Sequence, residues 1–235
     1  MADAQRITCI VPVYNAEAFL AQSLDSALAQ TRPPDEIILV DDGSTDGSAA
    51  VAKRYDEHVT YAYQANGGPA AARNRALDMA QGSLIAFLDA DDWWHPEALE
   101  RHLAHFAAQP ALQISLSHVE HVWEAGTDSL REHFQKRGIV EDMPGYLLQA
   151  SVMRRDVFET VGRFDDSYTF LDDIDWFSRA RHCGIVMDMM ADVLTYRRMH
   201  GENITVVRAE EGHADYPLLI KKKLMREREG PADKP

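Results

Sequence analysis

Three carboxylates follow directly on an apolar run near the middle of the chain. Residues 84–88 (LIAFL) are apolar, and Asp89, Asp91 and Asp92 come immediately after them. Carboxylates this close repel one another and raise each other's pKa unless a cation or hydrogen-bond donors compensate. Carboxylate oxygens in ones or twos suit Mg²⁺ or Mn²⁺ that is already bound to phosphate groups. The cluster therefore predicts a divalent-metal site beside a diphosphate, with a solvated turn as the alternative.

A second acidic turn follows another apolar segment. The sequence DDGS (41–44) comes directly after residues 36–40 (EIILV). Aspartate, serine and glycine are common turn residues, which is the simpler interpretation. A carboxylate at a strand end also contacts the ribose or base of a nucleotide in many α/β proteins. The sequence has neither a G-x-G-x-x-G nor a Walker A pattern, which argues against the dinucleotide-binding and P-loop versions of this architecture.

Strand-like segments alternate with helical patterns through the first 110 residues. The segments typical of strands are residues 7–13, 36–40, 59–63 and 84–88. Helical patterns cover residues 16–30, 48–56 and 69–81 and begin again at Pro96. This alternation predicts βαβ units and a mainly parallel sheet, which binds ligands at the carboxyl ends of its strands. Asn15 is expected to cap the first helix.

The second half of the chain is less regular. Residues 113–124 alternate between apolar and polar side chains, and residues 147–153 (LLQASVM) are expected to form a short strand. Residues 125–145 have no clear period, and a loop of that length is more often functional than idle.

Composition excludes several classes of protein. The chain has 235 residues, 46% of them hydrophobic, and a net charge of −14, so it is a poor electrostatic match for nucleic acid. Its two cysteines imply no disulfide framework. The N-terminal segment lacks a signal-peptide pattern, and no apolar segment approaches the ~20 residues of a membrane helix. We therefore expect a soluble, cytoplasmic protein that binds no nucleic acid.

Six segments, in this order and at these separations, resemble family 2 glycosyltransferases of the GT-A fold: PVYNAE, VDDGSTDGS, NGGPAAARNRAL, FLDADD, GRFDD and LDDIDWFSRA. The resemblance covers about residues 6–205, and the ordered set is far more specific than any single segment. It implies a Rossmann-like, mainly parallel central sheet flanked by helices, with a less regular acceptor-side half. We therefore expect one domain with a nucleotide-sugar-binding half (1–110), an acceptor-binding half (111–208) and a charged C-terminal tail (209–235).

The resemblance implies a donor site for a nucleotide sugar, most simply a UDP-sugar. Asp91 would bind Mn²⁺ or Mg²⁺, and His200, in the late segment YRRMHGEN, would approach the metal or the diphosphate. The residues implied to contact the nucleotide are Pro12, Tyr14, Asp42, Gly68, Arg73 and Asp89.

The resemblance also implies an acceptor side. Asp173 matches the general base of the family, and Asp172 stands where the family usually has glutamate. Asp165 and Trp176 would lie on the acceptor side. Without the resemblance, acidic residues in a first helical turn are explained by the helix macrodipole, and tryptophans of an α/β protein more often pack in the core.

The implied reaction is a single displacement that moves one sugar to an acceptor hydroxyl with inversion. The processive Q-x-x-R-W signature is absent from the sequence. The acceptor stays open: a glycan, a lipid-linked glycan, a peptide or a small molecule. The alternatives are a sugar-phosphate nucleotidyltransferase and an inactive nucleotide-sugar-binding partner subunit. The basic segment 221–226 predicts either a weak contact with a membrane surface or a solvated helix end.

Overall fold

The computed structural model describes residues 5–136, 142–144, 146–169, 171–201, 203 and 209–229. The strands within these ranges are β1 (Ile7–Val13), β2 (Glu36–Asp41), β3 (Thr60–Tyr63), β4 (Leu84–Phe87), β5 (Trp93–Trp94), β6 (Ile114–Trp123), β7 (Asp142–Pro144), β8 (Ser151–Arg154) and β9 (Met187–Met199). The helices are α1 (Leu20–Leu28), α2 (Ser48–Ala52), α3 (Pro69–Met79), α4 (Ala98–Ala108), α5 (Asp128–Lys136), α6 (Val157–Val161), α7 (Asp172–His182) and α8 (Ala209–Glu229).

One sheet contains all of these strands, in the order β3-β2-β1-β4-β8-β6-β9-β5, with β7 paired to β6. The strands β3, β2, β1 and β4 are parallel, as predicted. Alternate residues of β1 pack into two apolar clusters: Cys9 and Val11 lie on the face of α1 and α4, and Ile10 lies on the face of α3 and α7. Burial on both faces explains why β1 and β4 are continuous apolar runs.

The sheet changes character after β4. β8 pairs antiparallel with both β4 and β6, and β9 runs parallel to β6. The short strand β5 then pairs antiparallel with β9. The two expected halves therefore share one continuous sheet, and the long strand β9 carries the last part of the chain back toward the turn after β4.

Three local predictions are wrong. Asn15 does not cap a helix, since α1 begins at Leu20; Asn15 has φ 50° and its side-chain oxygen accepts a hydrogen bond from Thr45 N at 2.8 Å. Part of 125–145 is regular, because α5 and β7 lie there; α5 is short and has few apolar residues, so it gives only a weak helical signal. Residues Leu148–Ala150 form a 3₁₀ turn, so only the end of 147–153 is a strand.

The helix α8 contacts both α7 and the segment that leads into it. Asp215 accepts a hydrogen bond from Thr169 N at 2.9 Å, and Arg226 pairs with Asp175 at 3.0 Å. Lys222 pairs with Asp165. Across the ranges that the structure describes, no helix is long and apolar enough to span a membrane.

Candidate active site

A cleft of about 430 Å³ opens at the carboxyl ends of β1, β2 and β4. The turns after these strands meet there because parallel strands end at one edge of the sheet. The start of α7 and the segment after β9 close the other side of the cleft. The predicted residues that line it are Pro12, Tyr14, Asp42, Gly68, Arg73, Asp89, Asp91, Asp172, Asp173 and His200.

Asp42 lies buried at one end of the cleft and holds the loop before α3. Its carboxylate accepts hydrogen bonds from Gly67 N at 2.9 Å, Gly68 N at 2.8 Å and the side-chain nitrogen of Gln64 at 2.7 Å. A carboxylate offers about four acceptor positions, so one acceptor position remains for a ligand. Gly68 has φ 87°, a left-handed conformation that glycine adopts without steric cost.

The rim of this end is formed by two turns bonded to each other. The amide of Asn15 donates to Ser44 Oγ at 3.0 Å, and the amide of Ala16 donates to Ser48 Oγ at 2.8 Å. These bonds fix the backbone that presents Tyr14, whose side chain is 49% exposed at the mouth of the cleft. An exposed aromatic ring on a fixed turn is suited to stacking on a planar base.

Asp91 meets two side chains that follow β9. His200 Nε2 lies 3.1 Å from Asp91 Oδ2, and the side-chain amide of Asn203 donates to the same oxygen at 3.1 Å. Both Asp91 and His200 keep part of their surface open to the cleft. A carboxylate oxygen and an imidazole nitrogen are ligands that Mn²⁺ accepts.

Asp92 has a different role from its neighbours. It is buried, and it accepts hydrogen bonds from Arg198 N at 2.9 Å and from Gln149 at 3.1 Å. Arg198 Nε also donates to the carbonyl oxygen of Asp91 at 3.0 Å. Burial raises the pKa of Asp92 well above its usual range, and the nearby charges of Asp91 and Asp89 add to this effect. Asp92 therefore supports the turn that presents Asp91.

Arg73 links the turn after β4 to the start of α7. Its guanidinium pairs with Asp172 at 2.8 Å and with Asp89 at 3.2 Å, across 99 and 16 residues of chain. Asp172 is 2% exposed and Arg73 is 8% exposed. Burial raises the pKa of Asp89, and Arg73 opposes that effect. The side chain of Asp172, although shorter than the glutamate that the family usually has there, thus still reaches a buried partner.

Asp173 stands in the first turn of α7 and faces the cleft. The amide of Ile174 donates to its carboxylate at 2.7 Å. Burial raises the pKa of Asp173 to about 7; the neighbouring charge of Asp172 adds to the shift, and Arg73 opposes it. A carboxyl group that changes protonation near neutral pH is suited to accepting a proton from a substrate.

Two predicted residues lie outside the cleft. The structure contradicts the acceptor-side position implied for Trp176 and agrees with the alternative of core packing: its side chain is fully buried between Phe158 and Phe164, at ring distances of 5.0 and 5.7 Å. Its indole nitrogen donates to Gly162 O at 2.9 Å. Asp165 does not line the cleft either: it accepts the amide of Ser167 at 3.0 Å and pairs with Lys222 of α8.

Sequence reasoning missed several residues of the cleft. Arg197 and Asn203 line the cleft and belong to the segment YRRMHGEN, of which only His200 was named as a site residue. The segment as a whole was the signal that could have identified them. Leu147 and Gln149 line the cleft from a stretch with no motif. Asn74, in the segment NGGPAAARNRAL, does not line the cleft. Its side chain makes two hydrogen bonds to the backbone of Phe164, at 2.9 and 3.0 Å.

The mixed α/β fold with its acidic cleft is similar to the GT-A fold of solved glycosyltransferases, and comparison with known proteins identifies the family. The model described as "Glycosyl transferase family 2" matches residues 8–164. An uncharacterized glycosyltransferase of Nostoc sp. (strain PCC 7120) is 30% identical over 222 residues, which cover 84% of this chain and 66% of that protein. The chain belongs to glycosyl transferase family 2.

Two solved structures share the fold. Staphylococcal TarS (S. aureus, residues 1–349) in complex with UDP-GlcNAc has a TM-score of 0.68 at 20% identity, covering 84% of this chain and 60% of that one. The mannosyltransferase PcManGT from Pyrobaculum calidifontis in complex with GDP-Man and Mn²⁺ has a TM-score of 0.67 at 23% identity, covering 88% and 61%. Two bacterial relatives of 42% and 43% identity match this chain over only 40% and 14% of their own lengths.

Proposed function

We propose that the chain transfers one sugar from a nucleotide sugar, most simply a UDP-sugar, to an acceptor hydroxyl with inversion at the anomeric carbon. The observation that carries this proposal is the meeting of Asp91 and His200 with Asp173 in one cleft. In this proposal the first two bind the diphosphate through a metal, and the third, on the start of α7, accepts the proton of the acceptor. A donor between them would present its anomeric carbon to an acceptor beside Asp173.

Asp173 acts as the general base in this proposal. An acceptor hydroxyl is a weak nucleophile at neutral pH, and removal of its proton by a positioned carboxylate contributes typically ~10²–10⁴-fold to the rate. Since the pKa of Asp173 is raised to about 7 by burial, its ionised form binds a proton more tightly than an ordinary aspartate does. The proton moves from the hydroxyl oxygen to Asp173 as that oxygen attacks.

Asp42, Tyr14 and Pro12 bind the uridine, and Asp89 lies toward the ribose. The remaining acceptor position of Asp42 fits an N–H donor of the base, and Tyr14 supplies a stacking surface. Gly68, at the start of α3, allows close approach of the backbone to the nucleotide.

Asp91 and His200 would hold Mn²⁺ or Mg²⁺. The donor set fits a divalent ion that enters with the diphosphate, because a carboxylate oxygen and an imidazole nitrogen lie 3.1 Å apart at the cleft wall. Among the described residues, no three or more histidine, cysteine or acidic side chains gather into a metal-binding group. A bound metal would neutralise the charge that develops on the leaving diphosphate.

The same proposal includes a weak contact of helix α8 with a membrane surface, where a lipid-linked acceptor would lie. In α8, Lys222 and Arg226 are engaged with acidic partners, whereas Lys221 is exposed beside Ile220 and Leu224. Such a helix face supports weak binding to anionic lipid, which would suit a lipid-linked acceptor. Co-sedimentation with anionic and neutral vesicles tests this contact, and equal binding to both would exclude it. The cytoplasmic location stays a prediction.

The donor assignment is tested by calorimetric titration of UDP with Mn²⁺ and then with EDTA, on the wild type and on Asp91→Ala. We expect metal-dependent binding that Asp91→Ala abolishes. Binding of GDP but not UDP would replace the donor, and binding of neither would reject the proposal. A screen of donor sugars follows, with Asp173→Asn as the catalytic control. If UDP binds tightly, no sugar is transferred and Asp173→Asn has no effect, the chain is instead an inactive binding subunit.

A further inference from the structure

We propose that Arg73 is a positioning residue that ties the acceptor-side helix α7 to the donor-side turn after β4, and that it is not a diphosphate ligand. The inference rests on the proposed function, in which Asp173 is the base. Its support is the bridge from the partly exposed Asp89 through the buried Arg73 to the buried Asp172. The resemblance-based prediction had placed Arg73 at the nucleotide.

The bridge occupies both terminal nitrogens of Arg73. Nη1 donates to Asp172 at 2.8 Å, and Nη2 donates to Asp89 at 3.2 Å. A planar guanidinium can pair with two carboxylates at once, which a lysine ammonium does less well. The guanidinium also lies over the ring of Phe164, 6.0 Å from its centroid. Nε is buried and has no hydrogen-bond partner among the described residues. A diphosphate contact would therefore have to use the second N–H of Nη1 or Nη2 while both pairs hold, or break a pair and leave its carboxylate uncompensated, which is costly.

The bridge reaches α7 at its first residue, one position before the base. Asp172 is the N-terminal residue of α7; both it and Asp173 line the cleft, but the Asp172 side chain is buried and paired with Arg73. Adjacent residues of a helix are rotated by about 100° from one another, so a fixed Asp172 determines where Asp173 points. Positioning of a catalytic group to within fractions of an ångström carries a large part of catalysis.

The rest of α7 is anchored separately. Asp175, one turn into the helix, pairs with Arg179 at 2.8 Å and with Arg226 of α8 at 3.0 Å. Loss of Arg73 should therefore loosen the first turn of α7 without releasing the whole helix. The first turn of α7 carries the proposed base, whereas the residues proposed to bind the donor lie on other segments. Displacement of the base and loss of donor binding can therefore be measured separately.

The variants are Arg73→Met, which keeps length without charge, and Asp172→Asn, which keeps shape without charge. Asp172→Asn guards against failure of Arg73→Met to fold, since it leaves no unpaired buried carboxylate at position 172. The matched control is Arg163→Met, which removes an arginine that pairs with Asp78 away from the cleft. Circular dichroism verifies folding.

The first measurement compares the affinities for UDP and UMP in the presence of Mn²⁺. A positioning residue predicts that Arg73→Met keeps the UDP-over-UMP preference within about threefold. A direct diphosphate contact predicts that the preference falls by about tenfold or more, the usual size of a charge-assisted hydrogen bond, and that result would overturn the proposal.

The second measurement is hydrogen–deuterium exchange of the peptides that cover residues 165–180. We expect Arg73→Met and Asp172→Asn to accelerate exchange in the first turn of α7 by about tenfold, and Arg163→Met to leave it unchanged. Unchanged exchange in both cleft variants would overturn the proposal. This readout needs no nucleotide, so it stands even if the wild type fails to bind UDP and the proposed function itself fails.

The third measurement is UDP release from the donor sugar identified by the screen. Arg73→Met should lower kcat by about 10- to 100-fold while the donor KM changes less than about threefold. A raised donor KM with unchanged kcat would contradict positioning and would restore Arg73 to the nucleotide site.

Discussion

The raised pKa of Asp173 makes a prediction about stability as well as catalysis. In the folded protein the pKa is raised from the ordinary value of 3.8 to about 7, chiefly by burial. The folded state therefore binds this proton more tightly than the unfolded state does. Stability from this group is fully present below the unfolded pKa and is lost as the pH rises through the folded pKa. The substitution Asp173→Asn introduces a neutral side chain and should remove this loss of stability at high pH.

The magnitude follows from the size of the shift. A shift of about three pKa units means that ionisation of Asp173 lowers the free energy of unfolding by about 4 kcal/mol above pH 7. Roughly 1.5 kcal/mol of that loss has already occurred at pH 5. Partial solvation of the cleft reduces both values. We expect the stability advantage of Asp173→Asn over the wild type to grow by roughly 2 kcal/mol between pH 5 and pH 8, or about 4–8 °C in Tm for a chain of this length.

Thermal unfolding at the two pH values, without metal or nucleotide, is the assay. All other titrating groups are shared by the two proteins, so their effects cancel in the difference. Asp192→Asn is the matched control, because the Asp192 side chain is 47% exposed; its advantage should not grow with pH. An Asp173→Asn advantage that is equal at pH 5 and pH 8 would refute the reasoning from burial. The variant should also lose ~10²–10⁴-fold in turnover.

Three further predictions follow. Asp91→Ala should abolish the Mn²⁺-dependent part of UDP binding while leaving the affinity in EDTA unchanged, measured by calorimetry; an unchanged Mn²⁺ dependence would contradict the metal role. Asp172→Asn removes the charge that helps raise the pKa of Asp173, so the acid limb of the pH–rate profile should move to lower pH by roughly one unit; a move to higher pH would be the contrary result. Gly68→Ala should cost about 1–3 kcal/mol in urea unfolding through its backbone conformation alone (φ 87°, ψ 168°), since its Cβ would meet nothing within 4 Å. Gly82→Ala should also destabilise, for a different reason: its Cβ would lie 2.6 Å from Thr8 N.

Local pattern was enough for the parallel half of the fold. The alternation of apolar runs and helical patterns predicted β1 to β4, and with them the edge at which the acidic turns meet. It failed where polar residues dominate: α5 has few apolar positions, and the strand β9 was not predicted at all. Its residues are only partly buried, so the apolar signal of a central strand is missing.

The sequence by itself determined which residue types are available and, through strand order, that Asp42, Asp89 and Asp91 share an edge. Only the tertiary structure decided which side chains oppose them. The pairing of β9 with β6 and β5 brings His200 to Asp91 across 109 residues. The rotation of α7 buries Asp172, Asp175 and Trp176, because positions three and four apart share a helix face, and it leaves Asp173 partly exposed at the cleft. Which face is buried depends on what packs against it, and that information lies in distant parts of the chain.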